Sequence, residues 1–294
     1  MMEFLLPRHW DEALAMMAAR PTTVPVAGGT EVMVRLNAGD APPDVVLDLS
    51  LLGAAATWRR QEGTVRLGAT LTYTQLADEL SGLLPGVAEA AAAVGSRQIR
   101  NRGTLGGGLG AAWPAGDAHP ILLACRAEIE LDSVRGTRRV PARDFYTGPG
   151  RTVREPDELI SAVVLPVADG PQSFAWVGRR AAVTLSTASF AMALWPARQG
   201  VGTGMGGVAD RPLPALAAEE FLAGVLADRE AWRSGAPLPP DVLRRFGELA
   251  AQDTAPVDDV RASAAYRRHA VEVLARRTLA RTWENYRTEW RSCA

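Results

Sequence analysis

The chain has 294 residues, 47% of them hydrophobic and 22% charged. That is long enough for more than one core at ~100–200 residues per domain, and the composition excludes a disordered chain. A net charge of −1 excludes steering to nucleic acid or anionic lipid by a whole-chain field, and with all 32 basic residues arginine, Schiff-base and P-loop lysine chemistry are excluded too.

The first segment reads β–α–β. Trp10, Ala13, Leu14 and Met17 recur at i, i+3, i+4, i+7, which predicts an amphipathic helix with Asp11 and Glu12 in its favourable first turn. A β-like run from Thr23 to Ala27 stops at Gly28-Gly29, and another, Val45 to Leu49, follows Pro42-Pro43. The pattern restarts at Thr64: Val65 to Ala69 alternates as a strand, Thr74 to Leu80 reads as a helix, and Leu84 to Val94 is an Ala-rich helix. Ile129 to Leu131 and Arg138 to Val140, around Arg135-Gly136, predict a hairpin, and Glu158 to Leu165 is a strand closed by Pro166.

Val167-Ala168-Asp169-Gly170-Pro171 is the expected domain boundary. Three β-like runs follow, around Phe174 to Gly178, Val183 to Trp195 and Val201 to Val208, and then helices. The last helix has Ser263 as N-cap and Tyr266, Ala270, Val273 and Leu274 as its apolar stripe, which places Arg267, Arg268, Arg276 and Arg277 on a solvated face. Mixed elements that end strands first, helices second, make an α+β pattern.

Two glycine loops stand out. Ala27-Gly28-Gly29-Thr30-Glu31 follows a strand, and Ile99-Arg100-Asn101-Arg102-Gly103-Thr104-Leu105-Gly106-Gly107-Gly108 follows a helix. Such stretches are either plain tight turns or concavities whose amides bind phosphate oxygens. Thr30 and Thr104 add a hydroxyl beside each. Asp117, in Trp113-Pro114-Ala115-Gly116-Asp117, is an acceptor suited to polyol hydroxyls and unsuited to phosphate. Diphosphate donors and a polyol acceptor close together suit a dinucleotide.

Other motifs point elsewhere and fail. Gly202 to Gly207 spells GxGxxG, but Pro212 and Pro214 would fall inside the helix that the fingerprint must open, at ~3 kcal/mol each. It reads as a glycine-rich strand and turn. His9, His119 and His269 have no metal-site spacing, and His119, though near Asp117, reads as an incidental loop histidine. Ser186 and Ser189 lack a G-x-S-x-G elbow. Cys125 and Cys293 form no CxxC, which excludes a four-cysteine zinc or iron–sulfur site within the chain and fits a reducing compartment. No apolar run suits a signal peptide or a membrane span, so a soluble, cytoplasmic protein is expected.

Ala-Gly-Gly-Thr-Glu at 27–31 and Ile-Arg-Asn-Arg-Gly-Thr-Leu-Gly-Gly at 99–107 together resemble the FAD-binding subunit of the xanthine dehydrogenase and carbon monoxide dehydrogenase family. Gly206-Gly207-Val208-Ala209-Asp210-Arg211-Pro212 and Asp259 to His269 resemble that family's later motifs, so the likeness covers nearly the whole chain in the right order. It implies a two-subdomain FAD-binding domain of the vanillyl-alcohol-oxidase type at 1–168 (subdomains about 1–55 and 56–168), followed by a C-terminal α+β domain at 169–294 with a three-stranded antiparallel sheet and helices.

Carried over by position, the resemblance implies that Pro25, Val26, Ala27, Gly28, Gly29, Thr30, Glu31 and Val32 line one side of the FAD diphosphate. Val94, Gly103, Thr104, Gly107 and Gly108 form the other, Asp117 holds ribityl or sugar hydroxyls, and Ile160 lies against the flavin. It further implies a molybdopterin large subunit that hydroxylates the substrate, a [2Fe–2S] small subunit, and delivery of electrons to NAD+ or another acceptor. The chain lacks the cysteine-bearing insertion that some relatives use for a [4Fe–4S] cluster. Asp144 to Thr152 and Arg179 to Leu185 lean toward the xanthine and purine branch.

Three positions depart from the family pattern: Gly108 replaces a small polar residue, Trp113 replaces a small one, and about Ala175 stands where some relatives carry a lysine. Two rival readings are a stand-alone flavin oxidoreductase of the same fold and a scaffold subunit without flavin.

Overall fold

The chain opens as its hydrophobic spacing predicts. In the computed structural model, which describes residues 2–180 and 183–290, β1 (Glu3–Leu5) is followed by α1 (Trp10–Ala19), β2 (Val24–Val26), α2 (Val32–Asn37) and β3 (Val45–Asp48). The strands form a parallel sheet in the order β1-β3-β2. Parallel strands require crossover connections, and the two helices supply them. α1 turns Ala13, Leu14 and Met17 onto Leu47, Leu49 and Leu52 in a small core. The Trp10 indole N–H donates to Asp132 at 2.9 Å, tying this unit to the next.

The second unit runs β4 (Trp58–Gln61), β5 (Thr64–Gly68), α3 (Tyr73–Glu79), α4 (Pro85–Ala93), α5 (Arg97–Arg100), α6 (Leu105–Ala111), α7 (Ala118–Ala124), β6 (Glu128–Ser133), β7 (Gly136–Pro141), α8 (Ala142–Phe145), β8 (Tyr146–Gly148), β9 (Arg151–Thr152) and β10 (Leu159–Pro166). β4-β5-β10-β6-β7 form an antiparallel sheet, with β6 and β7 the expected hairpin. α3 starts in a capping box: Thr72 accepts from the Gln75 amide, and Gln75 reaches back to the Thr72 amide. The apolar run of β10 is explained by its place at the centre of the sheet, where it is almost wholly buried.

The second glycine stretch corrects the sequence reading. It is not one loop: α5 covers Arg97–Arg100, a turn follows, and residues from Leu105 onward are helical. Glycine disfavours a helix interior by ~1 kcal/mol per residue relative to alanine, so this helix survives on its surroundings. Thr104 caps it by accepting from the Gly107 amide at 3.1 Å. Leu105 and Leu109 enter the core, and the Gly106 amide donates to the Ala69 carbonyl at 2.7 Å. A Cβ at Gly106 would lie 2.6 Å from that of Ala69, so packing requires the missing side chain.

The third unit begins with β11 (Gln172–Val177), β12 (Ala188–Trp195) and β13 (Gly200–Gly206), an antiparallel sheet in that order, followed by α9 (Leu216–Asp228), α10 (Ala231–Ser234), α11 (Pro240–Gln252) and α12 (Ala264–Asn285). β12 is buried on both faces: Phe190, Met192 and Leu194 meet the helices, while Ala191, Ala193 and Trp195 extend the core of the second unit. The GxGxxG stretch is a strand and turn, as its prolines indicate. Its glycines let α7 lie on bare backbone, since a Cβ at Gly202 or Gly204 would come within 2.1 or 1.9 Å of the carbonyls of Ala124 or Pro120.

Ser263 caps α12 as expected, but the buried face is turned from the predicted one. Tyr266 is exposed, and Ala270, Val271, Ala275, Leu279 and Trp283 face inward. Arg268, Arg276 and Arg277 are exposed, whereas Arg267 is only 2% exposed. It can lie inside because it donates to the carbonyls of Thr187 and Gly207 and pairs with Asp259 at 2.6 Å. Cys293 and the pair Ala181-Ala182 lie outside the described residues. Among the described residues no helix is long and apolar enough to cross a membrane.

Candidate cofactor-binding site

Pro25 and Val26 end β2, and Ala27, Gly28, Gly29, Thr30 and Glu31 turn the chain into α2 at Val32. Gly29 has φ +72°, a conformation that costs glycine little. Five successive amides, from Gly28 to Val32, donate to no acceptor among the described residues. These residues are only partly buried, so the bend is a row of donors open to a ligand.

The second bend lies directly against the first. A Cβ at Gly28 would stand 1.9 Å from the Arg102 carbonyl oxygen, and one at Gly103 would stand 3.3 Å from the Thr30 hydroxyl. The two stretches, some 75 residues apart, therefore meet backbone to backbone. They are not equivalent. In the second, the Gly103 amide donates to Ile99 at 2.6 Å, Gly106 to Ala69, Gly107 to the Thr104 hydroxyl, and Gly108 to the Thr104 carbonyl at 3.0 Å. From Gly103 to Gly108, the Thr104 amide and the Leu105 amide differ in the same way: Leu105 donates to Leu71, and Thr104 to none of the described residues. The first bend supplies open donors, and the second is mainly a braced wall. Val94, at the end of α4, is part of that bracing, its carbonyl accepting from Arg100 at 3.1 Å.

On α6, Gly107 and Gly110 leave an exposed strip without side chains, and Ile160 of β10 reaches to 3.7 Å from where a Gly110 Cβ would be. Asp117 opens α7 and is 8% exposed. Its carboxylate accepts from the Ser186 hydroxyl, a contact across 69 residues that sequence spacing could not reveal. Burial pushes the Asp117 carboxyl up to about 7, against the opposing Ser186 bond. Tyr73, on the same side, has its hydroxyl held well above the ordinary phenol range by burial and then by the charges of Asp117 and Glu31. The Trp113 indole N–H donates to Glu31, linking the end of α6 to the first bend. His119 is in α7 rather than a loop, with Nδ1 2.8 Å from the Tyr146 hydroxyl, and burial lowers it to about 4. It is a neutral, packed ring.

Because folding raises the Asp117 pKa, its contribution to stability is present below the unfolded carboxylate pKa and is lost as pH rises through about 7. Polyol hydroxyls donating to this group favour the ionised form, so ligand uptake should release a proton and tighten as pH rises from 6 to 8. Calorimetry in buffers of different ionisation enthalpy checks this; Asp117→Asn should flatten the dependence.

Open amides, a bare glycine strip and a buried acceptor fit a diphosphate joined to a polyol and a flat ring system. Among the described residues no group of three or more His, Cys, Asp or Glu could hold a metal ion. Residues 1–168 match the FAD binding domain in molybdopterin dehydrogenase, and residues 178–282 match the CO dehydrogenase flavoprotein C-terminal domain. The nicotinate dehydrogenase FAD-subunit of Eubacterium barkeri is 32% identical over 254 residues, covering 82% of this chain and 86% of that one. The xanthine dehydrogenase FAD-binding subunit of Escherichia coli O157:H7 is 28% identical over 285 residues, covering 92% and 91%. A crystal structure of the Cu,Mo-CO dehydrogenase superposes with a TM-score of 0.86 at 28% identity, over 96% of this chain and 98% of that one. The chain therefore belongs to the family of FAD-binding domains of molybdopterin dehydrogenases, and is an FAD-dependent oxidoreductase subunit.

Proposed function

We propose that this chain relays electrons inside a molybdenum hydroxylase complex, taking them from a [2Fe–2S] small subunit and passing them to NAD+ or another acceptor. Substrate is hydroxylated in a separate molybdopterin large subunit. The observation that carries the reading is the direct meeting of the two bends, with five open amides on one side of the junction. Relatives described as FAD subunits support a place among several chains.

In this reading FAD, when bound, supplies one- and two-electron transfer. The amides of Gly28, Gly29, Thr30, Glu31 and Val32, with that of Thr104, hold the diphosphate, and Pro25, Val26 and Ala27 carry the bend. Val94, Gly103, Gly107 and Gly108 hold the opposite wall in place. Asp117 accepts from ribityl or sugar hydroxyls, and Ile160 excludes water beneath the ring system. Domain limits at 168 and 169, and a cytoplasmic location, belong to the same proposal. A lean toward xanthine and purine substrates rests on the sequence of Asp144 to Thr152 and of Arg179 to Leu185. The position about Ala175, on β11, carries no lysine, so an acceptor that needs no lysine there is the one proposed.

Purification of the full chain tests the reading. We expect a yellow protein with bound FAD that reduces a dye with NADH and does not oxidise small organic substrates. Direct oxidation of an organic substrate would establish a self-contained flavoenzyme, and a colourless protein that takes up no FAD would establish a scaffold.

A further inference from the structure

Tyr73 stands at the start of α3 with its ring in the core, beside Leu71, Leu76 and Leu105. The ring lies behind the second bend, its Cδ2 3.2 Å from where a Gly103 Cβ would be. The hydroxyl lies in front of α6. An ideal Cβ on Gly108 would be 2.1 Å from the hydroxyl oxygen but 3.4 Å from Cζ, so a side chain at 108 and a hydroxyl at 73 compete for one space.

The residue is 7% exposed, yet its hydroxyl makes no hydrogen bond among the described residues. Phenylalanine would fill the same core, so packing does not require the hydroxyl, which has no protein acceptor and can donate to a ligand. The oxygen itself keeps access to solvent, and burial of the residue, followed by the charges of Asp117 and Glu31, raises the hydroxyl above the ordinary phenol range. Burial first, and the two carboxylates second, keep the proton on, so the group is a donor awaiting an acceptor.

We propose that Tyr73 is a cofactor-binding residue, its hydroxyl donating to an oxygen in the polyol–diphosphate stretch of FAD at the point where Gly108 leaves room. The inference rests on the flavin site proposed above. It assigns Gly108 a role as well: the glycine admits the tyrosyl oxygen.

The test is calorimetric titration of FAD into the full chain stripped of flavin, with melting of each apo-protein as the fold control. Tyr73→Phe should bind FAD ~10-fold more weakly, the worth of one hydrogen bond, with no loss of melting temperature. Gly108→Ser should bind weakly and melt earlier, because its Cβ meets the hydroxyl. In Tyr73→Phe with Gly108→Ser the nearest neighbour of the new Cβ is Cζ at 3.4 Å, an ordinary contact. A serine hydroxyl then replaces the lost donor, and affinity should return to within roughly threefold of the native chain, a strongly non-additive result. Native affinity in Tyr73→Phe, or a double variant no better than the two single losses combined, overturns the inference. Failure of the native chain to bind FAD would instead overturn the site reading beneath it.

Discussion

Gly28→Val is expected to lose FAD affinity by about two orders of magnitude. The added Cβ alone would stand 1.9 Å from the Arg102 carbonyl oxygen, and that atom is backbone, so one bend must move. Forced overpacking costs ~1–3 kcal/mol, and separating the bends also lengthens charge-assisted bonds from the first-bend amides, worth ~1.5–3 kcal/mol each. Even ~3 kcal/mol is roughly a hundredfold in binding. Gly53→Ala is the control: a Cβ there meets nothing within 4 Å, and uptake should be unchanged. Native affinity in Gly28→Val would show that the bends do not share a ligand. Gly28→Ala should fall between the two, with the same clash but less bulk to accommodate.

Arg267→Met is expected to destabilise the chain by ~2–4 kcal/mol, because two buried carbonyls lose their donor and Asp259 loses one of its two arginines. The guanidinium donates to Thr187 O at 2.6 Å and Gly207 O at 2.8 Å, carbonyls that flank β12 and β13, and so fastens α12 to one end of the sheet. Methionine keeps the apolar stem and leaves both acceptors without their donor. Burial raises the Asp259 carboxyl, but bonds from Arg261, from the amides of Arg261 and Ala262, and from Arg267 outweigh it and hold it well below the ordinary range. Its contribution is therefore present above the unfolded carboxylate pKa and is lost as pH falls through the depressed one. Asp259→Asn should cost less than Arg267→Met, because the carboxylate is partly solvated. A urea midpoint of Arg267→Met equal to that of the native chain would sink the account.

Much of the fold was legible because its signals are local. The spacing of Trp10, Ala13, Leu14 and Met17 specifies a helix wherever that helix lies, and the turn at Arg135-Gly136 joins its own two strands. Pro212 and Pro214 were enough to remove the dinucleotide fingerprint at Gly202 to Gly207. The glycine helix reads as a loop in sequence because propensity opposes it, and the atoms that overrule propensity, Ala69 and the Thr104 cap among them, belong to the packed chain. The charge of Arg267 suggests exposure, whereas its burial depends on carbonyls 60 and 80 residues away.

The candidate site divides in the same way. Gly28, Gly103, Thr104 and Asp117 could be marked by residue type and by resemblance. That the amides from Gly28 to Val32 stay open while most from Gly103 to Gly108 are engaged was not in their letters. Nor was the bond from Ser186 that meets Asp117, or the hydroxyl of Tyr73 that stands before Gly108.

By itself the sequence determined periodicity, turn chemistry, the kinds of donor and acceptor available, and the order of the units. Only the tertiary structure decided which donors are already satisfied, which charges are enclosed, and which glycines are bare because another chain segment needs the space. The physical reason is that hydrogen bonding and burial saturate: each amide, hydroxyl or cavity is used by whichever partner reaches it, and for Gly28, Asp117 and Arg267 that partner comes from far along the chain.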